Sequence, residues 1–329
     1  MIDTIYIEED ILDHPRTKVI LARFPKAVRI PCDRYGEVFN PNAQNFRIQK
    51  NKPALILARK FKNFVLETPP GYGIGSEHNY YFSHMLNCIY DCRYCFLQGM
   101  FRSANLVCFV NYEDFQAAIL EKIKQHENVH FFSGYDCDSL ALEPVTGFAD
   151  SILDFFSAYP SALIELRTKS IQIKSLLKRE PIPNCVVAFS LTPDGIAKKL
   201  EHGAPSVSRR LEAMAKLQER GWKLGLRFDP VIYTEDYANQ YKNLFQNVFK
   251  RININHLHSV SLGSFRLPKE MFDRMYRLYP DEPLFAGALH QRARLVSYAP
   301  DLERELMNQI SNELFEHIPK QIYFASTIN

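Results

Sequence analysis

No run of this 329-residue chain is apolar for long enough to cross a bilayer; the longest apolar stretches, such as Val186–Leu191, fall far short of a membrane span. The N-terminus has no basic start leading into an apolar run, so no secretion signal is read and the chain is expected to be soluble and uncleaved. Charge of one sign is also lacking. Lys and Arg number 40 against 37 Asp and Glu, a net charge of +3, too little for a polyelectrolyte binder as a whole, although a local basic groove is compatible with it. The seven cysteines (Cys32, Cys88, Cys92, Cys95, Cys108, Cys137, Cys185) are an odd set without secretory context. That argues against a disulfide framework and for reduced thiols, so cytoplasm is the expected location, with no membrane partner. Internal repeats and low-complexity tracts are absent. What is present is 46% hydrophobic content, enough to bury a large core.

From about Asn79 onward, short apolar runs alternate with amphipathic patterns, the mark of repeated βα units on a parallel sheet. Strands are expected at Tyr80–Leu86, Val129–Ser133, Ala162–Leu166, Val186–Leu191, Lys223–Phe228 and Leu257–Leu262. Helical spacing is clearest over Tyr112–Gln125, Phe148–Ala158, Ile171–Leu177, Val207–Glu219, Asp236–Phe249 and Lys269–Leu278. Six such units make an α/β fold, a partial (β/α)6 TIM-like barrel over residues 76–300. Residues 1–75 read as an N-terminal accessory layer with strand-like runs at Asp3–Ile7 and Ala54–Ala58, joined to the barrel by the turn-rich segment Thr68–Gly75. Residues 301–329 read as a C-terminal extension, one amphipathic helix followed by a short apolar strand.

Three cysteines stand within eight residues in Cys88-Ile-Tyr-Asp-Cys92-Arg-Tyr-Cys95, directly after the first expected barrel strand. Three thiolates satisfy three irons of a [4Fe-4S] cluster and leave the fourth open to a chelating substrate such as the amino and carboxylate groups of S-adenosylmethionine. Two blander readings stand beside it. One is a structural zinc site completed by His84 or Cys108, against which counts the single Cys-x-x-Cys unit. The other is a four-cysteine electron-transfer cluster using Cys108 or Cys137.

In a parallel barrel, chemistry collects where strands end, and unusual polar residues do stand at those positions. They are Cys137, Asp138 and Ser139 after the second strand; Arg167, Thr168 and Lys169 after the third; Ser190 and Thr192 at the fourth; Arg227 and Asp229 after the fifth; Ser264 and Arg266 after the sixth. Any one alone reads as a cap or surface ion pair. Cys137 has further promise, because an S–H bond is weak enough to give a hydrogen atom to a carbon radical; an inert buried thiol is its alternative.

With these residues in view, the sequence resembles the spore photoproduct lyase family of radical S-adenosylmethionine enzymes, which repair a thymine dimer in DNA. The likeness runs through Ile5-Tyr-Ile-Glu8, the cluster motif continuing into Phe96-Leu-Gln98, Thr168-Lys169, Phe189-Ser190, Glu201-His-Gly-Ala-Pro205, Gly221-Trp-Lys-Leu-Gly225 and Phe265–Arg277. The resemblance implies that an adenosyl radical abstracts hydrogen from the lesion's methylene bridge and that a cysteine, here Cys137, quenches the resulting thymine radical. It places Tyr94 before the third cluster cysteine, with Lys169 and Ser190 near S-adenosylmethionine. Implied partners are DNA carrying the lesion and an electron donor such as flavodoxin or ferredoxin. Arg266, Arg292 and Arg294 are the candidates for DNA contact, on charge and location. Phe96 departs from the pattern, standing where spore-former members carry a tyrosine that helps restore the thiyl; Tyr298 is the candidate for the distal relay residue. Two other readings remain: the same chemistry on another modified base, an RNA or a small molecule, and a non-enzymatic metal-stabilised nucleic-acid-binding protein. Metal identity and its response to S-adenosylmethionine separate the last from the others.

Overall fold

The computed structural model describes residues 2–39, 41–42 and 44–326. Six parallel strands follow one another across the main sheet: Asn79–Phe82, His130–Ser133, Leu163–Thr168, Cys185–Ser190, Lys223–Val231 and Leu257–Ser264. Helices Tyr112–Gln125, Phe148–Ser157, Lys174–Lys178, Val207–Arg220 and Tyr237–Phe249 lie in the crossovers between them. A parallel neighbour can be reached only by such a crossover, which is why the sequence alternates as it does. The sheet curls into a half-barrel, extended by Tyr323–Ala325 parallel to the sixth strand and by Leu66–Glu67 antiparallel to the first. Its two sides approach at Gly75 (φ +101°), where a Cβ would stand 3.4 Å from the ring of Phe324.

Strand periodicity separates the two faces of this sheet. In the fifth strand Leu224, Leu226 and Phe228 join the apolar core, and the alternate positions are Gly225 and Arg227. Arg227 is fully buried and binds the equally buried Glu165 through two hydrogen bonds of 3.1 and 2.6 Å, while Ser259 accepts from it at 2.8 Å. Gly225 leaves the room this requires, since a Cβ there would stand 2.8 Å from Nη2 of Arg227. Arg227 is therefore a strut inside the half-barrel rather than a group at its mouth.

The helices follow the expected apolar spacing. Tyr112, Phe115 and Ile119 form the buried stripe of the first, and Val207–Arg220 starts on Ser206, whose hydroxyl accepts from the Arg209 amide, and stops at Gly221 in a left-handed conformation (φ +98°). The third helix begins at Lys174 instead of Ile171, because Thr168 and Ser170 hold the preceding residues in turns: their hydroxyls accept from the Ser170 and Gln172 amides.

A second sheet of five strands runs in the order Val28–Cys32, Thr4–Glu8, Leu55–Ala58, Leu106–Phe109, Met85–Leu86, the first four parallel and the last antiparallel. The run expected as one strand over Tyr80–Leu86 is thus divided. Residues 79–82 pair with the half-barrel, the chain crosses at Ser83 and His84, and Met85–Leu86 pairs with the other sheet. Ser83 holds the crossing by accepting from the Asp136 amide at 3.0 Å. Glu8, wholly buried, ties this sheet to its loops by accepting from the amides of Tyr35 (2.7 Å) and Arg59 (2.8 Å). After the sixth barrel strand, Arg266–Pro268, Leu289–Arg292 and Leu295–Tyr298 form a small antiparallel sheet, followed by helix Pro300–Phe315.

Candidate active site

Asn87 starts the cysteine loop in a left-handed conformation (φ +68°) that asparagine tolerates, and its amide donates to the carbonyls of Ser103 (2.7 Å) and Asn105 (2.8 Å). Cys92 then pairs with Glu201 in a short antiparallel bridge, and the Arg93 amide donates to Leu200 at 2.8 Å. The Cys95 amide donates to the Cys92 carbonyl at 3.0 Å, so that Cys92 and Cys95 share one turn of the loop that Cys88 begins.

The side chain of Glu201 fixes the same loop from within. Its buried carboxylate accepts from the Tyr94 hydroxyl, from Thr192 Oγ1 at 2.8 Å and from the guanidinium of Arg210. Arg210, also buried, donates to the carbonyls of Pro205 (2.9 Å) and Ser190 (3.1 Å). Burial opposes ionisation of Glu201, but Lys169 and Arg210 overcome it and hold the carboxyl below its usual range. Lys169 in turn stands 5.4 Å over the ring of Tyr94. Tyr94, Lys169 and Ser190, expected separately beside the cofactor, are thereby joined through two residues, Glu201 and Arg210, to which the sequence reading assigned no role.

Burial pushes the free Cys88 thiol up to about 12, Asp138 adds to this and Lys50 opposes it; Cys92 and Cys95 are raised too, with Lys169 opposing in both. The positive charges on either side favour thiolates once metal replaces the protons. The Tyr90 amide already points at Cys88 Sγ at 3.4 Å. Among the described residues no three Cys, His, Asp or Glu side chains are gathered to hold one metal ion. A four-iron cluster instead takes one thiolate on each of three irons, and the three-thiol loop with lysines on both flanks fits that group. Cys108 lies in the core of the second sheet, away from solvent, with Ile5 and Leu57.

Cys137 is buried with the core of the second sheet, among residues that include Met85 and Val110, and its Sγ lies 4.0 Å from Nδ1 of His84. The ring of His84 stacks on Phe148 at 3.7 Å, and burial lowers its pKa to about 3, so the imidazole is neutral. Burial together with Asp136 and Cys88 raises the Cys137 pKa well above the ordinary range, leaving a protonated S–H. Gly134 makes the turn before it (φ +84°), where a Cβ would clash with Ser139 Oγ at 2.5 Å. Asp138 locks the turn after it: Oδ1 accepts from the amides of Leu140 and Ala141 and from Thr168 Oγ1 (2.6 Å), and Oδ2 from the Lys169 amide (2.7 Å). Cys137 and Lys169 are held in register by this one carboxylate.

Phe96 packs on Tyr135 at 5.4 Å between ring centroids, and Tyr135 on Tyr81 at 4.3 Å. Tyr298 lies instead in the small antiparallel sheet, its hydroxyl accepting from the Tyr233 amide at 2.8 Å. Arg266, Arg292 and Arg294 come together in that same sheet. Arg266 is engaged with Ser326 (2.7 Å) and Asp229 (3.4 Å), Arg292 pairs with Glu303, and Arg294 is exposed at the hairpin tip beside Ala293 (φ +51°).

A half-barrel of six parallel strands with three thiols on the loop beyond its first strand defines a radical S-adenosylmethionine enzyme. The family model for spore photoproduct lyase matches residues 1–284. The chain belongs to that family. It is 23% identical over 241 residues to spore photoproduct lyase of Bacillus subtilis (strain 168), covering 71% of this chain and 68% of that protein. Over 152 residues it is 26% identical to spore photoproduct lyase of Geobacillus sp. (strain Y412MC61), 45% of this chain and 44% of that one. A doubly substituted spore photoproduct lyase with bound AdoMet and dinucleoside spore photoproduct superposes with a TM-score of 0.85 at 18% identity, over 100% of this chain and 99% of the other. A further spore photoproduct lyase complexed with dinucleoside spore photoproduct gives 0.83 at 18% over the same shares. No helix among the described residues is long and apolar enough to cross a membrane.

Proposed function

We propose that this protein is a lyase that returns spore photoproduct in DNA, 5-thyminyl-5,6-dihydrothymine, to two thymines by radical S-adenosylmethionine chemistry. The observation that carries this reading, beside family membership, is the linkage of the three-cysteine loop to Lys169 and Cys137 through Glu201 and Asp138. Cys88, Cys92 and Cys95 hold the [4Fe-4S] cluster. With S-adenosylmethionine bound, that group supplies the 5′-deoxyadenosyl radical. Tyr94 offers its ring to the cofactor while Glu201 fixes the ring's plane, and Lys169 and Ser190 border the same space. Cys137, kept protonated by its burial, donates the hydrogen atom that quenches the thymine radical. Phe96 has no O–H to give, so the phenols that restore the donor are sought among Tyr94 and the Tyr135 that adjoins Phe96. Arg266, Arg292 and Arg294 face DNA from the small antiparallel sheet, Arg294 with the freest charge. The domain reading follows the same lines: residues 1–75 as an accessory layer, 76–300 as the barrel and 301–329 as an extension on it, in a cytoplasmic protein that receives electrons from a carrier such as flavodoxin or ferredoxin.

The test is anaerobic reconstitution with iron and sulfide, reduction in the presence of S-adenosylmethionine and dinucleotide spore photoproduct, and chromatography of 5′-deoxyadenosine and thymidylyl-thymidine. Both products are expected. Deoxyadenosine without repaired dinucleotide would keep the radical chemistry and move the substrate to another modified base, an RNA or a small molecule.

A further inference from the structure

The cysteine loop has a second face. Cys92 and Tyr94 point into the protein, and the alternate residues Asp91 and Arg93 point outward, into a groove of about 420 Å³ that Arg47, Ile48, Lys50 and Tyr279 also line. Three cations stand there against one lining carboxylate. Arg93 shares its charge with Asp91 (3.1 Å) and Glu282 (3.8 Å) and stacks on Tyr279 at 3.7 Å, whereas no carboxylate among the described residues pairs with Arg47 or Lys50. Beside the charges the groove presents a bare aliphatic side chain, Ile48 at 67% exposure, and on the cysteine loop itself Ile89, the residue after Cys88, is 37% exposed. The groove also touches the cluster loop covalently and by hydrogen bond: Asp91 and Arg93 flank Cys92, and Nζ of Lys50 donates to the carbonyl of Cys88 at 2.6 Å.

We infer that this groove is the docking surface for an acidic one-electron carrier protein, which delivers the electron to the cluster from the side opposite Tyr94 and Lys169. The inference rests on reading Cys88, Cys92 and Cys95 as cluster ligands. A small apolar patch with a basic surround is what a weak, fast-exchanging redox partner uses: electrostatics steers the encounter, and little area is buried, so the carrier leaves after transfer. In this step one electron leaves the reduced carrier and enters the cluster; no bond and no proton moves. The position suits the task because the path from the surface to a cluster ligand is a single residue long, and because the opposite face is kept free for cofactor and substrate.

The test uses full-length reconstituted protein and reduced flavodoxin, following bleaching of the cluster by stopped flow, with dithionite as the small-molecule control. The variant is Arg47→Glu with Ile48→Asp, both exposed and outside the proposed cofactor site. Reduction by flavodoxin is expected to slow about ten-fold or more, and to slow in wild type as salt rises, with the dithionite rate unchanged; Arg47→Lys is expected to retain the wild-type rate. Equal flavodoxin rates in wild type and the Glu/Asp variant overturn the docking site alone. A wild-type protein whose iron dithionite cannot reduce overturns the cluster reading and the docking with it. Loss of duplex DNA affinity in the variant, at unchanged flavodoxin rate, would assign the groove to nucleic acid and likewise overturn the inference.

Discussion

Glu201→Gln is the perturbation that best probes how the site is held. The change keeps the shape of the side chain but leaves Arg210 as a buried cation without its counter-charge. Removing one member of a buried ion pair costs about 3–5 kcal/mol. With an unfolding entropy of about 2.1 cal/mol/K per residue over 329 residues, the slope is about 0.7 kcal/mol/K, so the Tm of the metal-free protein should fall by about 4–7 °C. Tyr94→Phe, which removes a hydrogen bond to the carboxylate but leaves the pair intact, should cost less, about 1.5–3 kcal/mol. Glu201→Gln combined with Arg210→Met removes both charges, and the loss should then be smaller than the sum of the two single losses. Calorimetry on wild type, Tyr94→Phe, Glu201→Gln, Arg210→Met and the double variant, with iron content after reconstitution and S-adenosylmethionine affinity by titration, gives the stability and functional sides together. Glu201→Gln should weaken cofactor binding because Tyr94 and Lys169 lose their common anchor. A Tm within about 1 °C of wild type, which at this slope is under about 1 kcal/mol, or strictly additive losses in the double variant, would refute the account of Glu201 as the anchor of the loop.

Cys92→Ala should abolish 5′-deoxyadenosine formation altogether, measured by chromatography after reduction, whereas normal cofactor cleavage would remove the cluster assignment. For Cys137→Ala, lesion opening should continue with misdirected quenching, visible by mass spectrometry as adducts from external reductants, and clean recovery of thymine would show another donor at work. Glu165 provides a pH dependence: burial raises its pKa, but Arg227 and Arg167 bring it down to about 2. A folded-state pKa below the unfolded value of about 4.5 means stability present above pH 4.5 and lost as pH falls towards 2, about 3 kcal/mol in all. Denaturant titrations of wild type and Glu165→Gln across that window should show the wild-type loss steepest and the variant's flatter; parallel curves would count against it.

The six barrel strands were legible because each is a short apolar run bounded by turn residues, and Cys185–Ser190, buried on both sides, reads as an unbroken one. The helices Tyr112–Gln125 and Lys269–Leu278 stand at the bounds that their apolar spacing suggests. Spacing alone also singled out Cys88, Cys92 and Cys95, since three thiols within eight residues of one loop are neighbours without any tertiary contact. Val28–Cys32 escaped notice because it is a largely exposed edge strand in which Pro31 interrupts the run, so the short alternation of Val28, Ile30 and Cys32 carries little strand signal. Nor does periodicity say which sheet a strand joins, so the crossing at Ser83 and His84 and the docking of Leu106–Phe109 against Leu55–Ala58 were decided only in three dimensions. The same holds for Glu201, Arg210 and Asp138. In a sequence a buried carboxylate looks like any surface one, and only the fold, by bringing Tyr94, Thr192 and Arg210 around Glu201, and Thr168 and Lys169 around Asp138, turns those charges into the frame of the site.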